Sequence, residues 1–130
     1  MRLLLLPSVL AVFPFSALAA EAPDARGAEF FTKKIEPILR EACYKCHSHS
    51  SDKIKGGLVL DSRDAVLTGG DTGAAVVPGD PAKSLLIEAV AYQNDDLQMP
   101  PKGKKLPDDQ IALLTEWVKM GAPWPEEGRK

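Results

Sequence analysis

Cys43, Cys46 and His47 are the residues of this chain best suited to chemistry, and their spacing narrows what that chemistry is. The chain has two cysteines, and both fall within Cys43-Tyr44-Lys45-Cys46, directly before His47. As a disulfide, a pair three residues apart would close almost no loop and stabilise little through chain entropy. The same spacing sets two sulfurs on one turn, a short fixed distance apart, as addition to the two neighbouring vinyl groups of a porphyrin requires. The next residue then brings an imidazole nitrogen to the iron. Cys-x-x-Cys-His is the attachment sequence of c-type haem.

Two other uses are open to a Cys-x-x-Cys pair. A thioredoxin-like Cys-x-x-Cys belongs beside a βαβ unit, and no strand pattern precedes residue 43. A structural zinc site needs four ligands, commonly as two separated pairs. Here Cys43, Cys46, His47 and His49 crowd into seven residues.

Iron in haem electron carriers is usually closed on its second face by Met or His. His49 is two residues from His47, a span of only about 7 Å, too short to round the porphyrin edge. Met120 reads as packing at the end of a helix, and Met1 would leave with a signal peptide. Met99 lies 52 residues beyond His47, and Pro100-Pro101 follow it directly. Proline holds the preceding residue extended and stiffens the segment. A loop methionine is ordinarily gap filler; beside an attachment motif, Met99 is the candidate sixth ligand.

The elements that must position these residues are helical. Phe31, Ile35, Ile38, Leu39 and Ala42 recur on one helical face and predict a helix over about 29–43, kinked or restarted at Pro37. Asp61 is a candidate cap for a short helix over 62–68, ended by Gly69-Gly70. Asp80-Pro81 starts a helix over about 81–92 with Leu85, Leu86, Ala89 and Val90 inward. The last helix runs from Pro107 or Asp108 to about Met120, with Ile111, Leu114, Trp117 and Val118 inward and Gly121 as its stop. The fold class expected is all-α, about four helices joined by long loops. Such loops are uncommon in a compact domain unless they serve a function, here wrapping a cofactor.

The N-terminus is a targeting signal by pattern. Arg2 is followed by an apolar run that Pro7 and Pro14 interrupt, then Ala17-Leu18-Ala19 offers a small-x-small cleavage site. The run is shorter than the roughly 20 residues a membrane span needs. A signal peptide is therefore expected over 1–20, a flexible lead-in over 21–28, one domain over 29–126 and a tail over 127–130. Hydrophobic residues are 45% and charged residues 26% of the chain, as in ordinary globular domains. The net charge is −2, and losing Arg2 with the signal makes it −3. That balance disfavours a nucleic-acid partner.

Together these stretches resemble the planctomycete-type cytochrome c domain, a branch of the monohaem class I cytochromes c. The matching residues are Ile35-x-Pro37-Ile38-Leu39 leading to the attachment motif, Lys55-Gly56-Gly57-Leu58-x-Leu60-Asp61-Ser62-Arg63, and Gly69-Gly70. They continue with Val77-Pro78-Gly79-x-Pro81-x-x-Ser84-Leu85-Leu86, Met99-Pro100-Pro101 and Trp117-Val118-x-x-Gly121-Ala122-Pro123-Trp124-Pro125, covering about 30–125. The resemblance implies a class I fold around one covalent haem c, Met99 as distal iron ligand, and electron transfer as the role. Pro107 departs from the Ser or Thr that the family commonly places as the last helix's cap.

Several residues carry secondary expectations. Gly56-Gly57 and Gly69-Gly70 are either plain turns or places where backbone approaches the porphyrin. Arg63 is either solvated or paired with a haem propionate, and the Pro78 carbonyl is a candidate acceptor for the His47 ring N–H. Trp117 is expected in the core. Lys102, Lys104 and Lys105 form a basic stretch after Met99, either a solvated loop or a docking patch for an acidic partner. The expectation is a periplasmic or secreted electron carrier, not an enzyme, exchanging single electrons with redox partner proteins such as a dehydrogenase or oxidase. The alternatives are a ligand-binding or peroxidase-like haem protein, and a haem-free thiol–disulfide protein.

Overall fold

A computed structural model describes residues 23–126; the expected signal peptide and tail lie outside the described residues. The first helical rod is α1 (Pro23–Phe30), a π-helical turn (Phe31–Ile35) and α2 (Glu36–Ala42) in unbroken succession. Pro37 explains the π turn. Its ring would collide with the carbonyl four residues back, and it has no N–H to donate. The wider turn ends with the Glu36 N–H on the Phe31 carbonyl, and α2 restarts with Pro37 in its first turn, where no donor is needed.

The rod starts earlier than its apolar spacing predicts. Residues 23–28, expected as a flexible lead-in, are helical. Gly27 shows why: a Cβ there would fall 2.5 Å from the Pro123 Cβ, so this turn is packed against the far end of the chain.

The other helices fall close to their expected places. In α3 (Arg63–Thr68) the cap is Ser62, whose hydroxyl accepts the Ala65 N–H, and not Asp61. Asp80 does cap, accepting the Lys83 N–H at 3.2 Å. The element it opens is a short 3₁₀ turn, Pro81–Lys83, followed by α4 (Leu85–Val90). Between them Ser84, 1% exposed, donates to the Asp80 carbonyl and accepts the Val77 N–H. On α4, Leu86, Ile87, Ala89 and Val90 are buried and Leu85 is half-buried, so the buried face includes Ile87, which was not expected there. α5 (Asp108–Lys119) begins after Pro107 with no side-chain cap, Asp108 and Asp109 supplying negative charge to its N-terminal end. It closes on Gly121 as expected, with Gly121 N–H on the Val118 carbonyl and Ala122 N–H on Trp117.

Among the described residues there are no strands, only two isolated bridges, Gly70–Gly73 and Asn94–Leu97. The core joins the rod to α5: Phe31, Ile35 and Leu39 pack in one cluster with Leu114, Trp117 and Val118. Trp117 is fully buried as expected, its ring centroid 5.8 Å from Phe31 and 6.1 Å from Trp124. Its indole N–H donates to the Pro123 carbonyl at 2.8 Å, so the polar end is satisfied. No helix among the described residues is long and apolar enough to cross a membrane.

Candidate functional site

The attachment motif forms a turn at the end of α2. The Cys43 and Tyr44 N–H groups both donate to the Leu39 carbonyl, and the Cys46 and His47 N–H groups both donate to Cys43. Cys43 and Cys46 thus lie one turn apart, both as free thiols, Cys43 buried at the edge of the core and Cys46 exposed. His47 begins the next segment.

Burial pushes the Cys43 thiol up to about 11. That leaves about one thiolate in ten thousand at neutral pH, the reverse of the depressed thiol that a dithiol oxidoreductase uses. Among the described residues, no three His, Cys, Asp or Glu side chains converge to hold a metal ion. His49, a possible zinc ligand by sequence, turns instead to Asp61, which accepts its Nδ1–H at 2.6 Å and its backbone N–H at 2.9 Å.

The His47 ring is fixed by the loop that follows. Its Nδ1 lies 3.2 Å from the Leu58 carbonyl. A carbonyl only accepts, so Nδ1 carries the proton and Nε2 is the ring nitrogen left with its lone pair, without a hydrogen-bond partner among the described residues. Leu58, not Pro78, is therefore the acceptor. The Pro78 turn faces elsewhere, with the Gly79 N–H donating to the Val118 carbonyl. Two more bonds lace the same loop to the motif: Lys55 N–H to the Cys46 carbonyl and Leu60 N–H to the His47 carbonyl.

A serine cluster closes the turn from the other side. Ser48 is 2% exposed and donates to the Tyr44 carbonyl at 2.7 Å; the Ser51 hydroxyl reaches the same carbonyl at 3.0 Å. In the sequence, the signal of this cluster is a run of serines spaced to bond nearby backbone.

Of the two glycine pairs, Gly69-Gly70 serves backbone packing, whereas a Cβ at Gly56 would meet nothing within 4 Å and one at Gly57 would meet the Asp71 carboxylate. A Cβ at Gly70 would meet the Gly56 carbonyl oxygen at 2.4 Å, and one at Gly69 would meet the Gly73 oxygen at 2.0 Å. Close approach is real there, but its object is another strand of loop. Arg63 likewise has a protein partner: it donates to the Ala122 and Gly121 carbonyls at 3.2 and 3.3 Å, holding the turn after α5.

Met99 is on a separate segment. It is half-buried, and its N–H donates to the Ala89 carbonyl of α4 at 3.1 Å. The peptide bond to Pro100 is cis. Hydrogen bonds that run through loops and α4 connect the His47 and Met99 segments: His47 to Leu58, Asp71 N–H to Gly56, Leu86 N–H to Ala75, and Met99 N–H to Ala89. Lys102 and Lys104 are exposed, and Lys105 lies 3.9 Å from Asp108.

One surface depression lies beside Arg40, Tyr44 and Trp124 and another along Ile111, Ala112 and Thr115; neither includes Cys46, His47 or Met99. The residues of the motif nevertheless suit a covalent haem. Two unpaired thiols stand one turn apart, and the adjacent imidazole is in the tautomer that leaves Nε2 available.

Over the described residues, fold and site define an all-helical protein built around a Cys-x-x-Cys-His turn. Residues 43–103 match the family model described as planctomycete cytochrome C. This segment is similar to that family, in agreement with the resemblance carried by the sequence motifs. The match begins at Cys43 and ends at Gly103, leaving α1, α2 and α5 outside it. Among solved structures, hydrazine synthase from Kuenenia stuttgartiensis is similar at 26% identity and a TM-score of 0.43. That likeness covers 72% of this chain and 16% of the other, so this chain corresponds to a small part of that protein. No curated protein matches the chain.

Proposed function

We propose that the protein is an electron carrier with one haem c, bound through Cys43 and Cys46, with His47 and Met99 as the axial ligands of the iron in a class I cytochrome fold. The match of residues 43–103 to a cytochrome c family model supports haem-based electron transfer. The observation that carries the finer reading is the His47–Leu58 hydrogen bond. A ligand histidine that donates its other ring N–H to a backbone carbonyl is held in one tautomer and orientation, and its basicity is raised. Nothing in an ordinary surface loop requires that arrangement immediately after two free cysteines.

When bound, the haem supplies one-electron chemistry. The chain's residues would do the rest: Cys43 and Cys46 would tether it, and His47 and Met99 would ligate its iron. With both ligands supplied by side chains, the iron would offer no open position to a substrate, which favours a carrier over an enzyme. The residue 1–20 pattern supports export to the periplasm or beyond, with one domain over 29–126 extended by the helical turn from Pro23. Its partners are redox proteins.

Expression of the full chain in a host that matures c-type cytochromes tests this reading. The expected product is shortened at its N-terminus, retains one haem per chain through denaturing electrophoresis, and shows the weak near-red band of ferric iron bound to methionine. A colourless product with two free thiols overturns the proposal. A coloured product without that band, binding added ligands readily, indicates the ligand-binding alternative.

A further inference from the structure

Met99 sits on a segment poor in backbone donors, because Pro100 and Pro101 have no N–H. Two bonds to the end of α4 hold it. The Met99 N–H donates to the Ala89 carbonyl at 3.1 Å, and the Tyr92 phenol donates to the Pro100 carbonyl. Between them they bracket the Met99–Pro100 pair.

Tyr92 occupies a position that glycine ordinarily holds. α4 closes with the Gln93 N–H on the Glu88 carbonyl and the Tyr92 N–H on Ala89, both at 3.3 Å. In this closure the residue just past the helix cap is left-handed, and Tyr92 has φ +57°. A Cβ disfavours that conformation. The corresponding closure after α5 uses Gly121, at φ +94°. A bulky aromatic at such a φ is an outlier that persists where the surroundings require it, a pattern concentrated at functional sites. What Tyr92 adds over glycine is a half-buried ring whose hydroxyl reaches the Met99 loop.

We infer that Tyr92 is the positioning residue for Met99, its phenol clamping the Pro100 carbonyl so that the methionine is presented to the haem iron. The inference rests on the reading of Met99 as distal ligand. Tyr92→Phe removes only the hydroxyl; Tyr92→Gly relieves the left-handed backbone while removing the whole clamp.

The test uses the ferric holoprotein. Imidazole can bind the iron only after Met99 leaves, so its binding rate reports how firmly the methionine is held. Both variants are expected to bind imidazole about five- to tenfold faster, the effect of losing one partly buried hydrogen bond. The Met99 amide, bonded to Ala89, is expected to exchange with solvent faster by a similar factor. A tyrosine that merely packs would lower the unfolding midpoint in Tyr92→Phe without moving the imidazole rate. A methionine–iron band in the unmodified protein with unchanged rates in both variants overturns the Tyr92 assignment alone. Absence of that band in the unmodified protein overturns the ligation reading, and this inference with it.

Discussion

The His47 imidazole and the Leu58 carbonyl are joined across 3.2 Å, eleven residues apart in sequence. The bond depends on how the 55–58 segment is held. Behind that segment stands Gly70, whose missing side chain lets the Gly56 carbonyl come close: a Cβ would sit 2.4 Å from that oxygen and 3.0 Å from the Leu58 Cβ. The obstacle at Gly56 is backbone, which cannot swing aside as the tip of a long side chain would.

Gly70→Ala should therefore push the 56–58 segment away and loosen the His47 ring. A loss of about 1–3 kcal/mol in unfolding free energy is expected, the usual cost of overpacking. Denaturant titration measures it. Nitrogen chemical shifts of the His47 ring should move with it, while those of His49, held by Asp61, should not.

Trp117 is the largest fully buried side chain, and it joins the helical rod to the chain's last turn. Trp117→Ala should cost about 3–5 kcal/mol. Trp117→Phe keeps most of the volume but leaves the Pro123 carbonyl without its donor, for about 1–3 kcal/mol. Equal stability of Trp117→Phe and the unmodified protein in urea would contradict the role assigned to the indole N–H.

Tyr44, inside the attachment motif, should titrate late. Burial first, then the negative charges of Glu36 and Asp61, push its phenol up to about 12, with Arg40 opposing. The fold thus favours the neutral phenol. That contribution is fully present below about pH 10, the ordinary tyrosine value, and is lost as the pH rises from there through 12. Carbon NMR of the tyrosine ring should follow this titration directly. Glu36→Gln should lower the midpoint, and Tyr44→Phe should flatten the loss of stability across that window.

Lys102, Lys104 and Lys105 follow Met99 closely, and in an acidic chain they concentrate positive charge on one loop. Replacing all three with glutamine should slow oxidation of the reduced protein by hexacyanoferrate, an anionic reagent, several-fold at low ionic strength. At 0.15 M salt, where the screening length is about 8 Å, most of the difference should vanish. A cationic reagent should show the opposite ordering. Unchanged rates with both reagents would assign the lysines to a solvated loop.

Much of this architecture was legible in the residues. The attachment turn is contiguous, so the identities of Cys43, Cys46 and His47 suffice to suggest its chemistry. Helix positions followed from apolar spacing and from local stop and start signals such as Asp80-Pro81 and Gly121, which act within one turn. Pro37 announced a disturbance in the rod, though not that a π turn would absorb it.

Tertiary structure alone decided which carbonyl each donor meets. The His47 ring found Leu58 and not Pro78, Arg63 found the turn 58 and 59 residues away, and Tyr92 found Pro100. The reason is physical: every residue carries the same C=O, so an acceptor on the backbone leaves no mark on the side chain above it. The glycines are ambiguous for a related cause, since a missing side chain does not say what approaches through the gap. Sequence set the reactive groups and the helices; the docking of loop on loop set how those groups are held.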